Sequence, residues 1–228
     1  ALGTQTLFSN TTASFNTAVG YLALYSNTTG ANNVAIGSFA LDANTTGSYN
    51  LALGRDALSS STTADNNTAV GYQALLTNTT GTSNIALGKG ALQSNTTSSD
   101  NVAVGHSALL YNSTGAANTA IGRQALQTNT TGANNTAVGY QANYSNTTSF
   151  NSTTIGYQAA KANTANFTTA VGSTALLSNT SGPRNTAVGF SSLGLNTTGG
   201  YNTALGHEAL NSNTTGGNNT AVGYQAGY

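Results

Sequence analysis

A glycine returns at a fixed interval along the whole chain. The tripeptide of small residue, aliphatic and Gly ends at Gly3, Gly20, Gly37, Gly54, Gly71, Gly88, Gly105, Gly122, Gly139, Gly156, Gly172, Gly189, Gly206 and Gly223. Twelve of the thirteen intervals are 17 residues, and the one from Gly156 to Gly172 is 16. Such a period is too short for a helix pair, which takes roughly 33 residues in helical arrays. It suffices for one coil of a parallel β-solenoid, and so predicts an all-β chain. Residues 1–228 read as a single array of about thirteen 17-residue coils without a linker. The one-residue deletion falls in the polar corner near 163–168, where a loop absorbs a change that a stacked strand would not.

Each unit reads N-T-A-V-G-Y-Q-A-L-x-S-N-T-T-G-x-N. Two extended pieces are predicted in it, N-T-A-V and A-L-x-S, joined by the Gly and by an Asn/Thr/Gly corner. Neither is long enough to stand alone. Stacked at about 4.8 Å on the coils above and below, each becomes a rung of a parallel sheet. The corner suits Asx and Ser/Thr turns, and Asn or Thr in register can bond to its own copy one coil away.

Side chains alternate along a strand, so in N-T-A-V-G the Ala points one way and the aliphatic the other. A narrow coil has room for Ala inside. The aliphatic rank then faces outward: Val19, Ile36, Leu53, Val70, Leu87, Val104, Ile121, Val138, Ile155, Val171, Val188, Leu205 and Val222. A stripe of that kind exceeds what a soluble monomer leaves uncovered, and it predicts a homotrimer sealed along this seam. The opposite assignment, with Val inside and Ala outside, would permit a monomer.

Composition narrows the function. Charged residues make up 4% of the chain, the formal net charge is +0, and Cys, Met and Trp are absent. Five Lys and Arg cannot line a nucleic-acid groove, and the lack of cysteine excludes disulfides and thiolate metal sites. No apolar run approaches a membrane span, and the opening residues lack the basic-then-apolar pattern of a secretory leader, so neither is expected in this stretch. With no methionine, and with Ala1-Leu2-Gly3 and Gly223 to Tyr228 both in repeat phase, the chain is expected to be a piece of a longer fibre or to stack end to end. The acids Asp42, Asp56, Asp65, Asp100 and Glu208 are scattered over different coils. Asp56 beside Arg55 and Glu208 beside His207 read as surface neighbours, so no enzyme, cofactor or metal is expected.

Variation concentrates at the two positions after each Gly. Tyr21, Tyr72, Gln73, Tyr140, Gln141, Tyr157, Gln158 and Tyr224 form a candidate ligand ridge there. Aromatic faces beside amides suit sugars, and repetition would add multivalency; the bland reading is a solvated edge. The corner also holds N-x-S/T sequons at Asn10, Asn27, Asn44, Asn78, Asn95, Asn112, Asn129, Asn146, Asn179, Asn196 and Asn213. These are candidate glycan acceptors, although Asn-Thr-Thr is also good corner chemistry.

The strings Asn33-Val34-Ala35-Ile36-Gly37-Ser38-Phe39-Ala40 and Asn101-Val102-Ala103-Val104-Gly105-His106-Ser107-Ala108 resemble the head repeat of trimeric autotransporter adhesins, N-S-V-A-I-G-x-x-A. The longer unit is also similar to repeat stalks of phage tail fibres and bacterial surface proteins. The resemblance covers nearly the whole chain, with a coil longer than the adhesins' by an extended Asn/Thr corner. It implies a left-handed β-roll that trimerises through its aliphatic stripe. The expected function is a structural extracellular fibre segment at a cell surface or on a virion, a rigid spacer with multivalent contact to host glycans or a receptor. The alternatives are a self-assembling end-to-end filament, with or without glycans, and an ice-binding solenoid.

Overall fold

The computed structural model describes residues 1–228. It is an all-β parallel solenoid with coils of about 17 residues and no helix. The chain divides into two compact units, Ala1–Ala116 and Ala117–Tyr228. The first contains β1 (Thr17–Val19), β2 (Val34–Ile36), β3 (Leu51–Leu53), β4 (Thr68–Val70), β5 (Ile85–Leu87) and β6 (Val102–Val104). The second contains β7 (Thr119–Ile121), β8 (Thr136–Val138), β9 (Thr153–Ile155), β10 (Thr169–Val171), β11 (Thr186–Val188), β12 (Thr203–Leu205) and β13 (Thr220–Val222).

Within each unit every strand pairs in parallel with the next, equivalent residue against equivalent residue: Ala35 faces Ala52, and Ala187 faces Ala204. The short interval leaves this register intact, since Thr153, Thr154 and Ile155 of β9 face Thr169, Ala170 and Val171 of β10. The missing residue is absorbed in the corner, where the Asn163 side-chain amide donates to the Ala165 carbonyl at 3.0 Å instead of reaching one residue further.

The second predicted strand is not a strand. From Gly to Asn the chain makes a run of tight turns, shown by residues 20–27. There the N–H groups of Ala23, Tyr25 and Asn27 donate back to the carbonyls of Gly20, Leu22 and Leu24 at 3.4, 3.2 and 3.4 Å. The alternate N–H groups leave the coil: Leu22 donates to Thr4, Leu24 to Ala40 and Ser26 to Asp42. Every second amide thus closes a turn and every other one ties two coils, so the backbone demand of a buried segment is met without a strand. The geometry requires left-handed backbone at Leu22 (φ 57°) and Leu24 (φ 52°), and equivalently at Gln73 (57°) and Leu75 (52°). A bulky residue there costs about 1–3 kcal/mol. Burying a leucine returns roughly 1.5–3 kcal/mol, and Leu24, Leu41, Leu58, Leu75, Leu92, Leu109, Leu126 and Leu176 are fully buried. The A-L pattern therefore marks a filled interior, not an extended backbone.

The apolar part of the interior is built from three ranks, two of Ala and one of Leu, such as Ala18, Ala23 and Leu24 in one coil, and buried asparagines fill the rest. Where the second unit departs from this, Thr154 Oγ1 donates to Thr136 O at 3.2 Å and Ser192 Oγ to Ala204 O at 3.0 Å, while Asn143, in a Leu place, is fully buried with its Nδ2 unpartnered. The recurring glycine is fixed by contact. Gly71 has φ 136°, and a Cβ on it would lie 2.6 Å from the Gly88 carbonyl oxygen, so no side chain fits between successive coils.

Candidate functional surfaces

Four surfaces follow from this coil. The first is the outward face of the strands. In every strand but β13, which is half-buried at Ala221, the central residue is buried and its two neighbours are not. The aliphatic rank from Val19 to Val222 therefore points away from the coil interior. Ile36, Leu87, Ile121 and Ile155 each stand about two-fifths exposed, although they lie in mid-sheet. Beside it runs a second rank, Thr17, Val34, Leu51, Thr68, Ile85 and Val102 in the first unit. In the second unit that rank is threonine throughout, from Thr119 through Thr136, Thr153, Thr169, Thr186 and Thr203 to Thr220. Neither rank holds a charge.

The second surface is the ridge after each glycine. Tyr21, Tyr72, Tyr157 and Tyr224 are exposed. Tyr140 and Tyr157 stack with ring centroids 5.4 Å apart, Arg123 lies 6.0 Å over Tyr140 and Lys89 lies 5.9 Å over Tyr72. The glutamines play a different part from the free amide donors expected of them. Gln158 Nε2 donates to Gln141 Oε1 at 3.0 Å, and Gln141 Nε2 to Gln124 Oε1 at 2.9 Å; Gln93 Nε2 donates to Gln73 Oε1 at 3.1 Å. These amides satisfy one another along the array under the tyrosines, so the exposed contact surface here is aromatic and cationic.

The third surface is the Asn-Thr-Thr corner, which corrects the glycan-acceptor reading. Asn27, Asn44, Asn78, Asn95, Asn112, Asn129, Asn146, Asn179 and Asn196 are buried, and Asn10 and Asn213 are half-buried. Asn44 Nδ2, the atom a glycan would occupy, donates to Asn27 Oδ1 at 2.8 Å and to Gly47 O at 2.9 Å. Asn196 Nδ2 does the same with Asn179 Oδ1 and Gly199 O at 2.8 and 2.9 Å. A sugar on Nδ2 and this packing exclude one another. The first Thr of the corner is also structural: Thr28 Oγ1 donates to Thr45 O at 2.9 Å, one coil on. A second asparagine rank precedes the strands, where the Asn50 backbone N–H donates to Asn33 Oδ1 at 2.9 Å and Asn50 Nδ2 to Ala64 O at 2.8 Å.

The fourth surface lies at the residue just before that second rank and was not singled out from the sequence. It is a left-handed, exposed position held by Asn in several coils, as at Asn32 and Asn66, but by Phe167, Arg184 and Tyr201 in three successive coils. Arg184 sits between two rings, its guanidinium carbon 5.1 Å from the Phe167 centroid and 5.3 Å from that of Tyr201. The signal available in the sequence was the break from Asn to large side chains there, next to the chain's one proline, Pro183.

Ionisable groups do not converge. Arg55 Nε meets Asp56 Oδ2 at 3.3 Å on the surface, and His207 Nδ1 lies 3.9 Å from Glu208 Oε2. His207 stacks between Phe190 and Tyr224, at 5.0 and 5.3 Å. Burial pushes the Asp42 carboxyl up to about 6, with Asp56 adding to the rise and backbone hydrogen bonds opposing it. No three His, Asp or Glu side chains gather, and neither unit encloses a pocket. No protein-family model, curated protein or solved structure matches this chain.

Proposed function

We propose that the chain is a structural segment of an extracellular fibre, at a cell surface or on a virion, and that it works as a left-handed β-roll assembled as a homotrimer. One observation carries this reading: the outward strand face of each unit is a continuous, charge-free pair of ranks, none of whose aliphatics is buried and whose larger members, such as Ile36, Leu87, Ile121 and Ile155, remain about two-fifths exposed within the sheet. Contiguous apolar surface on this scale marks an interaction site. A second copy of the same face is the natural cover, since in-register ranks present the same spacing to each other. The mechanism is mechanical. Backbone rungs and amide ladders hold the coil, the covered seam stiffens it, and the aromatic ridges are left outward to meet glycans or a receptor many times over. The same rungs would serve an end-to-end filament.

Mass in solution tests this. Light scattering at micromolar concentration is expected to give about three times the chain's 22.7 kDa, and replacing both Leu87 and Val104 by Glu is expected to reduce it to the single-chain value. A wild-type chain that stays monomeric and folded would overturn the proposal.

One observation favours a second reading. Seven successive threonines beside seven aliphatics in the second unit form a grid of hydroxyls and methyls spaced about 4.8 Å along the array and 6.8 Å across it. In this reading a charge-free grid of that kind orders water as ice does. This reading predicts a monomer with thermal hysteresis, and Thr169→Lys with Thr186→Lys would abolish the hysteresis.

A further inference from the structure

We propose that the ladder formed by Phe167, Arg184 and Tyr201, with Phe150 at its side, is a binding site for carboxylate-bearing sugars such as the acidic pyranose units of a polyuronate. Three observations meet at this place. The guanidinium has three contacts: its carbon lies 5.1 Å from the Phe167 centroid and 5.3 Å from that of Tyr201, and Nη1 donates to Tyr201 Oη at 2.7 Å. What remains of Arg184 for a ligand is its edge, and that edge is the fork that matches a carboxylate bidentately. Since the side chain is already ordered, little further rotamer entropy is lost on binding.

The charge is also uncompensated. Arg184 has no ion pair, and the second unit holds Arg123, Lys161 and Arg184 against one acid, Glu208. Glu208 Oε2 accepts from Gln225 Nε2 at 2.8 Å, so it is engaged elsewhere. Around the guanidinium lie apolar rims for the C–H face of a pyranose: Phe150 and Phe167 meet edge to face at 5.3 Å, and both are about two-fifths exposed, as Tyr201 is to just over half.

The local chain is adapted to this arrangement. The corner deletion, the single proline and a Gly-Gly pair all fall on these coils. Pro183 fixes the backbone ahead of Arg184, and its carbonyl accepts the Tyr201 N–H at 2.9 Å. Gly200 makes room for it, because a Cβ there would lie 2.9 Å from Pro183 Cδ. The N–H groups of Phe167 and Arg184 bond to Phe150 and Asn166 in the coil before, each at 3.2 Å. The departures from the repeat thus set three large side chains in one stack, whereas Phe15 and Tyr49, at the same position in the first unit, have the small Asn32 between them.

Titration calorimetry of the full chain with trigalacturonate in 0.15 M NaCl tests the site, with maltotriose and tripolyphosphate as comparison ligands. Trigalacturonate is expected to bind, maltotriose at least tenfold more weakly. Arg184→Gln is expected to weaken trigalacturonate at least tenfold, and Arg184→Lys, which keeps the charge and loses the fork, about fivefold. Lys161→Gln, which removes the one cation of this unit outside both aromatic surfaces, is expected to leave it unchanged. Melting midpoints equal to the wild type establish that the variants are folded. No binding of trigalacturonate, an Arg184→Gln variant that binds like the wild type, an equal loss in Lys161→Gln, or equal binding of tripolyphosphate would each overturn the proposal.

Discussion

Asp42 is the residue whose ionisation the fold opposes. It follows Leu41 in the buried turn, one of its carboxylate oxygens has no hydrogen-bond partner, and its carboxyl is pushed from 3.8 up to about 6 by burial. A raised folded-state value means that the folded chain holds the proton more tightly than the unfolded chain. Stability contributed by the protonated form is therefore complete below about pH 4 and is lost as the pH climbs through 6. Because the group is only half-buried, the full shift overstates the cost, and about 1 kcal/mol at neutral pH is the reasonable scale. Asp42→Asn is expected to raise the unfolding free energy by that amount at pH 8 and to change nothing near pH 3. Urea denaturation at the two pH values checks it, and an equal effect at both would show that ionisation is not the cause.

At the level of the element, the corner is a matched pair of positions. The Asn amide that opens it is most often followed by Gly three residues on, since a Cβ on Gly30 would lie 2.6 Å from Asn27 Oδ1. Where Ser98 and Ser149 take the Gly's place, their hydroxyls donate to Oδ1 of Asn95 and Asn146, and Ala13 takes it only beside the half-buried Asn10. One coil breaks the pair on both sides at once, with Ser61 and Ala64 in place of Asn and Gly, and there Asn44 Oδ1 and Ser61 Oγ are buried without partners. Restoring Asn at 61 alone would crowd its buried Oδ1 against the Ala64 methyl, which lacks the hydroxyl that Ser98 and Ser149 offer at this place, and Ala64→Gly alone would only loosen the backbone. Each single variant is therefore expected to be neutral or destabilising. The double variant is expected to gain about 1–2 kcal/mol by closing the ladder between Asn44 and Asn78. Thermal melting of the four proteins decides it, and strict additivity would remove the idea of a matched pair. The same element shows what sequence patterning can and cannot reach. The period, the parallel stacking, the deletion's place in the corner and Ala facing inward were all legible, since each follows from spacing and side-chain size. The turn run from Gly to Asn was not, because Leu24 and its equivalents carry the letters of a strand while sitting at φ near +50°. Buried Leu repays that strain only through contact with the next coil, which local propensity does not register. The burial of the sequon amides was hidden for a similar reason: N-T-T reads the same whether its Asn faces water or its own copy. The Arg184 stack was visible only as an exception to the repeat.

On the scale of the whole molecule, contacts that span one coil set the energetics. Apart from the turn and corner bonds within a coil, partners lie about 17 positions away in either direction, as in Ala35 against Ala18 and Ala52, so stability is a sum of coil and nearest-neighbour terms. With charges at 4% of the chain, long-range electrostatics adds little to that sum. Three substitutions in the first unit make the point measurable. Ala35→Val, Ala52→Val and Ala86→Val each overpack the narrow interior and are expected to cost about 1–3 kcal/mol. Ala35 and Ala86 lie three rungs apart, roughly 14 Å, and their effects are expected to add within about 0.5 kcal/mol. Ala35 and Ala52 touch across one rung, so the second valine meets the first, and their double variant is expected to depart from the sum by more than that. Denaturation of the singles and both doubles gives the two coupling energies. Equal couplings would mean that the unit responds to strain as one three-dimensional core, and the description of it as a stack of neighbours, on which a stiff repeating fibre depends, would fail.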